Sequence, residues 1–570
     1  MEQLLLSSMN IAKSSLFLIG ILLVAVFLRL YQLGTVPVGP DWDEAAIGYN
    51  ASSLLATGKD EFGKTLPLVF RSFNDYKPPL YIYLTVPAIA LFGLNTWAVR
   101  LPSAIAGILA VIGTYLLVVE LLKSQIPNPN DQQGKKSFIG NWKLEIGNSK
   151  SVALLSAMLL ALSPWHIQFS RVAFEANIGV TLNIWATIFF LRGLRNAKYY
   201  LLSSIVFVLA MYAYHTERIF VPLYVALLGF VFLKPPIRHS KELLWSLGIA
   251  LVLMLPILGT LVNNTGLERL SSTGILTKKT EYLEKSVAKY NWDTQRGSLL
   301  GQFLNDRRFE WVKVYASGYL SHFSPKWLFV TGDHPRHHAP DSGLLYLWTI
   351  PFLCAGFLVL IKKSKDLAHY FIGWLLLAPI AAAFTFEAPH AVRTLVILPS
   401  FQIITAIGLW AALRHVYAFM QSAVDGYKKI IIIVVSFCFV GFSLFEITRY
   451  LNLYFVHMNV EYSKYWQYGY KQAVDYAEDH SAEYKKIVVS TDLEQPYIFF
   501  LFYSTYDPKK YLAQEGPLFN KYEFRKIDWP NEKKDGSILY IGTPGEIVYG
   551  NRANITYPDG TPAIHIADRE

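Results

Sequence analysis

The sequence predicts an α-helical protein that crosses a membrane many times and has a small α/β domain toward its C-terminal end. Of the 570 residues, 53% are hydrophobic and only 16% are charged, and the apolar residues gather in long runs. A soluble domain carries about 25% charged residues, and a membrane helix needs about 20 consecutive apolar residues. The composition therefore argues against a soluble enzyme and against a disordered chain.

About eleven segments are predicted as membrane spans, if a few short ones are accepted. They are 14–33, 101–119, 151–169, 176–194, 199–214, 219–233, 243–262, 344–361, 367–385, 394–413 and 430–446. Segment 78–94 is also apolar, but it opens with Pro78-Pro79 and is interrupted by Pro87. We therefore expect it to be a helix lying in the outer membrane interface.

The charges of the connecting loops predict the orientation. Lys and Arg number eighteen in the segments placed on one side, whereas three short loops on the other side carry one Arg each. Positive charge marks cytoplasmic loops, so we expect the N-terminus inside and the C-terminal domain outside a plasma membrane. The net charge of +10 follows from this bias and does not indicate nucleic-acid binding.

Two domains are predicted. A transmembrane module covers 1–446, with outer loops at 34–100 and 263–343, and an extracytoplasmic α/β domain covers 447–570. In the second domain, periodicity predicts a helix over 463–479 and strands over 485–490 and 537–542. No internal repeat is visible, which argues against a transporter.

Ionisable residues gather in the outer loops. The first loop contains Asp43, Glu44 and Lys77; the short loops contain Arg171, Glu175, Arg218, His390 and Arg393; the long loop contains Arg336, His337 and His338. Such residues at membrane ends are costly unless they are paired or functional. They form either local salt bridges or a polar cavity with cations for an anionic ligand and carboxylates for proton transfer.

No metal is expected, because His334-x-x-His337-His338 fits no standard zinc pattern. The sequence implies no cofactor, although a divalent cation is left open as an alternative. Both cysteines, Cys354 and Cys438, lie in apolar runs and have no metal-site spacing.

An enzyme on the outer side would work where ATP and nucleotide sugars are scarce, so an activated donor would arrive through the membrane, for example as a sugar on a polyprenyl phosphate. The leaving phosphate needs cationic stabilisation more than it needs a general acid. Lys77 and the loop Arg and His residues would supply it, and Asp43 suits the general base that an acceptor hydroxyl requires. A single displacement would invert the anomeric centre.

Four motifs of the first loop follow one another in a specific order. They are Pro40-Asp41-Trp42-Asp43-Glu44-Ala45, Tyr76-Lys77-Pro78-Pro79-Leu80-Tyr81, Leu91-Phe92-Gly93 and Arg100-Leu101-Pro102-Ser103. In this order they resemble the polyprenyl-phosphate-sugar glycosyltransferases of the GT-C architecture, including bacterial protein mannosyltransferases and the lipid A aminoarabinose transferase. The resemblance is strong over 29–123, continues through 151–225 and is looser over 334–400.

The resemblance implies a role for each candidate residue. Asp43 is the expected base, for which helix capping is the alternative, and Glu44 supports the same site. Glu175 occupies the acidic position of the second loop, and Arg171 is expected to orient it. Lys77 is the expected donor-phosphate contact. Further contacts to the donor phosphate or sugar are expected from Arg171, Arg218, Arg336, His337, His338, His390 and Arg393.

The sequence thus predicts a membrane glycosyltransferase that moves a hexose, a mannose-like sugar or a pentose to a hydroxyl on the outer face. The expected partners are a polyprenyl-phosphate-linked sugar, membrane lipids and a lipid, glycan or protein acceptor. A strict protein Ser/Thr O-mannosyltransferase is the alternative within this class. A transporter of a lipid-linked anion and a non-catalytic envelope protein are the alternatives outside it.

Overall fold

The computed structural model describes residues 2–73, 75–124, 149–233, 239–262, 281–385, 387–422, 426–514, 519–534 and 536–568. Helices dominate these ranges. The first ten are α1 (Glu2–Leu30), α2 (Trp42–Thr57), α3 (Leu80–Phe92), α4 (Thr96–Ser124), α5 (Ser149–Leu162), α6 (Pro164–Ser170), α7 (Ala176–Gly193), α8 (Lys198–Ala213), α9 (Glu217–Phe232) and α10 (Ser240–Val262). Residues 263–280 of the predicted long loop lie outside the described residues.

The remaining helices follow in chain order. They are α11 (Glu281–Gln295), α12 (Leu299–Leu304), α13 (Arg307–Ser321), α14 (Ile350–Lys363), α15 (Lys365–Leu377), α16 (Ile380–Ala383), α17 (Ser400–Ser422), α18 (Gly426–Asn452), α19 (Met458–Glu461), α20 (Tyr470–Asp479), α21 (Pro496–Tyr503) and α22 (Pro508–Leu512). Short π and 3-10 turns occupy Trp327–Thr331, Leu347–Thr349, Leu395–Ile397, Leu453–His457, Ser463–Trp466, Ser481–Glu483 and Trp529–Asn531.

Several helices are apolar enough to span a membrane. Within the described residues, five are long and apolar enough, and a sixth arises if α5 and α6, bent by 61°, form one span. Each of the eleven predicted segments overlaps a helix, but the count of eleven is not confirmed. Helix α3 has only 13 residues and contains Pro87, so it is shorter than a span, as expected for segment 78–94.

The core of the helical bundle is built where α4, α5, α7, α9, α15 and α17 meet. Large apolar side chains fill it, among them Trp165 and Trp374, which are fully buried. By contrast, none of the most apolar stretch of α18 is buried inside the protein. Its apolar residues are therefore available to lipid, as expected for a helix at the edge of a bundle.

The segment between α1 and α4 carries the first site residues. Helix α2 begins at a capping box in which Asp41 Oδ1 accepts from the Glu44 amide and Glu44 Oε2 accepts from the Asp41 amide. It ends at Gly58, whose φ of 71° is the left-handed conformation that glycine adopts readily. The antiparallel hairpin of β1 (Phe70–Ser72) and β2 (Asp75–Lys77) then places Lys77 opposite Phe70.

A five-stranded mixed sheet forms the C-terminal part. Its strands are β3 (Lys486–Val489), β4 (Tyr522–Phe524), β5 (Ile538–Gly542), β6 (Asn551–Thr556) and β7 (Pro562–Ala567), in the order β4-β3-β5-β7-β6. Strand β3 pairs in parallel with β4 and β5, and the β5–β7 and β6–β7 pairs are antiparallel. Strands β3 and β5 lie where 485–490 and 537–542 were predicted.

The predicted helix over 463–479 is interrupted. A 3-10 turn over Ser463–Trp466 precedes α20, and between them Gln467 and Gly469 have positive φ values of 41° and 103°. A continuous helix is excluded there because it requires negative φ at every residue.

Helix α21 joins the C-terminal part to the first loop. Its Phe502 packs on α2, where a Cβ on Gly48 would lie 2.7 Å from the Phe502 ring. Just beyond α21, the Tyr506 carbonyl accepts a hydrogen bond from the Tyr49 hydroxyl at 3.2 Å. One buried cluster contains residues of both parts, including Ile47 and Ile487. The division into two domains stays a prediction, since this core is shared.

Candidate active site

A lysine lies between two carboxylates at the end of the β1–β2 hairpin. Lys77 Nζ is 2.9 Å from Asp43 Oδ1 and 3.7 Å from Glu175 Oε1. The side chains of Lys77 and Glu175 are 9% and 8% exposed, whereas that of Asp43 is 30% exposed. The structure therefore brings together three predicted site residues from three separate chain segments, and Asp43 is the most accessible of them.

The charges of this group stabilise one another. Burial alone would lower the pKa of Lys77, but the carboxylates of Asp43 and Glu175 outweigh burial and raise it above the ordinary lysine value. The ammonium group therefore stays protonated at neutral pH. Helix capping, the alternative role of Asp43, is wrong, because the N-cap residue of α2 is Asp41.

Glu44 has a different environment from its neighbour. It is 1% exposed, and it accepts hydrogen bonds from Arg100 Nε at 2.9 Å, Arg100 Nη2 at 2.8 Å and the Ala173 amide at 2.7 Å. Arg100 is fully buried and also donates to three backbone carbonyls, those of Leu33, Pro37 and Gly39. Glu44 thus ties α2 to α4 and to the loop before α7.

A second cation contacts the start of α2. Arg336 Nη1 lies 3.0 Å from Asp41 Oδ2, and the guanidinium stacks over the Trp42 ring at 4.5 Å. Burial raises the pKa of Asp41 to about 7, although Arg336 opposes this shift. Arg336 therefore reaches the same helix end as Asp43, as expected for a residue of this site.

Arg171 lies elsewhere. It is fully buried, and its guanidinium donates to the carbonyls of Leu28, Gln32 and Val36 at 2.8, 3.3 and 3.1 Å. It also stacks on Phe455 at 4.8 Å. Its guanidinium thus binds the segment between α1 and α2 instead of orienting Glu175, and the expected donor contact gains no support from this position.

Three further predicted residues make local contacts. Arg218 Nε donates to the Met211 carbonyl at 3.4 Å. Arg393 donates to Thr385 Oγ1 at 2.7 Å and to Glu387 Oε2 at 3.0 Å, the local salt bridge that was one interpretation of the loop charges. The Nδ1 atom of His338 lies 2.8 Å from its neighbour's carbonyl, that of Ala339.

His337 and His390 come together although they are far apart in the chain. Their ring centroids are 4.8 Å apart, and His337 Nδ1 is 3.1 Å from Asp333 Oδ2. A ligand atom of each of these three residues lies within 4.8 Å of the others, so they could hold a metal ion. Sequence reasoning missed Asp333, because the third member of the group, His390, lies on a separate loop, and the four-residue spacing of Asp333 and His337 alone does not define a metal site.

A cavity of about 520 Å³ is lined in part by two residues of the same loop, His334 and Arg336. One side of the cavity is formed by α2 and the 334–336 loop. The other side is formed by the C-terminal sheet and by residues 464–470, which precede it. The lining includes Trp42, His334, Arg336, Tyr465, Tyr468 and Tyr557. Aromatic rings with a few polar groups are typical of a small-molecule pocket. None of the three tyrosines was predicted as a site residue.

Comparisons with known proteins identify similar folds. The sequence profile of the dolichyl-phosphate-mannose-protein mannosyltransferase family matches residues 145–259. ArnT from Cupriavidus metallidurans in the apo state is similar over 98% of both chains, with a TM-score of 0.52 and 12% identity. The chain thus shares the fold of these membrane glycosyltransferases, and part of its sequence resembles the mannosyltransferase profile. The predicted resemblance to the GT-C enzymes is thereby confirmed.

Two further solved structures have the same fold. ArnT from Cupriavidus metallidurans bound to undecaprenyl phosphate is similar over 96% of this chain and 97% of that chain, with a TM-score of 0.50 and 11% identity. The archaeal oligosaccharyltransferase AglB from Archaeoglobus fulgidus, in complex with an inhibitory peptide and a dolichol-phosphate, is similar over 98% of this chain and 74% of that chain, with a TM-score of 0.50 and 11% identity. No curated protein matches by sequence.

Proposed function

We propose that this protein is a glycosyltransferase that moves a single sugar from a polyprenyl-phosphate donor to an acceptor hydroxyl, with inversion, on the outer face of a plasma membrane. Asp43 is the general base and Lys77 binds the donor phosphate. The observation that carries the proposal is the contact of a buried lysine with a carboxylate that solvent reaches. The loop charges support the outward orientation.

The arrangement suits the two charges that develop during transfer. The Lys77 ammonium, protonated at neutral pH, would stabilise the phosphate as the glycosidic bond breaks. Asp43, released from Lys77 when the phosphate arrives, would accept the proton of the attacking hydroxyl. Glu175, 3.7 Å from Lys77 Nζ, would hold the ammonium in place. Arg336, 17% exposed beside Asp41, adds positive charge for the donor.

The cavity lined by Trp42 and Tyr465 is the proposed acceptor site, because Trp42 directly precedes the proposed base in the chain. Aromatic rings present flat apolar faces to a sugar ring, and Arg336 and Lys464 supply hydrogen-bond donors. An acceptor that is itself a glycan or glycolipid fits this lining. Protein Ser/Thr acceptors are the alternative.

The test is transfer of a labelled sugar by purified protein in liposomes. Polyprenyl-phosphate mannose, another hexose and a pentose are each supplied as donor, with extracted envelope lipids, glycans and proteins as acceptors. Asp43→Asn should lower the transfer rate by about 10²-fold or more. The control is Asp475→Asn, which removes an exposed carboxylate paired with Lys471 at 2.6 Å and should transfer at the wild-type rate.

Each outcome has a clear meaning. Label that moves only to protein would replace the glycan acceptor by a Ser/Thr hydroxyl. Equal rates for Asp43→Asn and wild type would remove Asp43 as the base. Absence of transfer from every donor by a folded protein would contradict the proposed reaction.

A further inference from the structure

Asp333, His337 and His390 lie on two loops that meet beside α6. Asp333 and His337 follow the turn at Trp327–Thr331, and His390 follows α16. Their side chains are only 11%, 7% and 12% exposed. This is strong burial for three ionisable groups, which normally require partners when they leave water.

One polar atom of each of these three side chains lacks a hydrogen-bond partner. Asp333 Oδ1, His337 Nδ1 and His390 Nδ1 are buried, and none of the three has a hydrogen-bond partner in the part of the chain that the structure describes. His337 Nδ1 is 3.1 Å from Asp333 Oδ2, but the geometry is not that of a hydrogen bond. Two ligands of a tetrahedral ion at 2.0–2.1 Å are about 3.4 Å apart and point at the ion, not at each other. The 3.1 Å distance between His337 Nδ1 and Asp333 Oδ2 is close to this separation of two ligands.

We propose that Asp333, His337 and His390 bind a divalent transition metal, with Zn²⁺ as the best fit. Two imidazoles and one carboxylate are a ligand set that zinc and its neighbours prefer over Mg²⁺ or Ca²⁺, which favour oxygen. A ligand atom of each residue already lies within 4.8 Å of the others, so small side-chain rotations would bring them to binding distance. Water completes the coordination.

The surrounding contacts already orient two of the ligands. Asp333 Oδ2 accepts from the Ala391 amide at 2.7 Å, which fixes the carboxylate against the loop of His390. The His390 amide in turn donates to His322 Nε2 at 3.1 Å. Outer contacts of this kind hold metal ligands in position.

The metal would link the two loops that supply its ligands. It would fix the 333–337 segment, and with it Arg336, whose guanidinium reaches Asp41 at 3.0 Å. The metal site would thus position the Arg336 guanidinium, which faces the donor in the proposed function. It does not depend on which sugar or acceptor the enzyme uses, and its test does not need transfer activity.

The experiment measures metal in the purified full-length protein. After treatment with a chelator and addition of excess ZnCl₂, gel filtration followed by elemental analysis should find about one Zn²⁺ per chain. CoCl₂ in place of ZnCl₂ should give visible absorption bands of a nitrogen- and oxygen-ligated ion. Zn²⁺ should also raise the Tm of the chelated protein, because a ligand that binds only the folded state stabilises it.

The variants are His337→Gln and His390→Gln, each of which should weaken Zn²⁺ binding by about 100-fold or more. The matched control is His457→Gln. His457 Nδ1 lies at the same 3.1 Å from a carboxylate, that of Glu461, but it is 47% exposed and belongs to no three-ligand group in the described residues. This variant should bind Zn²⁺ like the wild type.

Two results would overturn the proposal. If the wild type retains no Zn²⁺ beyond the level found after chelation, Asp333 and His337 form an ion pair alone. If His337→Gln and His390→Gln bind as tightly as the wild type, the metal lies elsewhere. The first result is measured on the wild-type protein, so it would contradict the proposal even if a variant fails to fold.

Discussion

Adjacent carboxylates in α2 should respond to substitution in opposite ways. Glu44 is 1% exposed and accepts from Arg100 Nε, Arg100 Nη2 and two backbone amides, whereas Asp43 is 30% exposed. In Glu44→Gln the Arg100 cation stays buried without its counter-charge. Loss of one partner of a buried pair costs about 3–5 kcal/mol. Asp43→Asn also removes the nearest counter-charge of the buried Lys77, but Glu175 remains 3.7 Å from the ammonium and Asp43 is itself 30% exposed, so its cost should be smaller, about 1–2 kcal/mol.

A cost of 3–5 kcal/mol is a factor of about 10² to 10³·⁵ in an equilibrium constant. Glu44→Gln should therefore lower the Tm in detergent clearly and increase proteolysis of the first loop, while the surviving folded fraction still transfers sugar. Asp43→Asn should lower the Tm less than Glu44→Gln does and lose about 10²-fold in rate. The assay pairs thermal unfolding with transfer per folded molecule. A Glu44→Gln protein that melts like the wild type and transfers as slowly as Asp43→Asn would refute this division of roles.

The other predictions concern charge, packing and orientation. Because the pKa of Lys77 is raised, its ammonium group stays charged at every pH below the ordinary lysine value near 10.5, and its contribution to stability is lost only above that pH. Lys77→Met should therefore raise the donor KM equally at every pH from about 6 to 9. An effect confined to one end of this pH range would contradict the prediction. Phe502→Ala, at a site 2% exposed, should destabilise by about 3–5 kcal/mol in thermal unfolding, while Phe445→Ala, 63% exposed, should not. In a protein without its native cysteines, a membrane-impermeant maleimide added to whole cells should label Ala482→Cys and not Ser240→Cys; the reverse pattern would invert the proposed topology.

Sequence reasoning was most successful where a local pattern dictates the structure. The apolar runs marked the positions of the helices, since burial in lipid or in a bundle requires them. The motif around Asp43 and the Lys77 segment indicated residues that do meet, because the hairpin returns the chain to the start of α2. Two strands of the C-terminal sheet were found from their alternation and β-branched content.

The failures share one physical reason, which is that they depend on contacts between distant segments. The spacing of Arg171 and Glu175 suggested a local pair, but the buried guanidinium satisfies the carbonyls of a segment near residue 30 instead. Glu44 was expected to support the same site as Asp43, but its buried pair with Arg100 depends on packing between α2 and α4. Asp333 and His390 cannot be associated from spacing, because two loops bring them together.

The shared core of α2 and α21 has a consequence for synthesis. A chain that emerges from the ribosome exposes the Asp43 helix early, yet the aromatic side chains that pack on it, such as Phe502, are made hundreds of residues later. Until then the part of α2 that faces Phe502 has no cover, although α3 and α4 already pack on the rest of the helix. Helix α2, which carries the proposed base, therefore reaches its final packing only near the end of translation, so we expect unfinished chains to be inactive at the membrane.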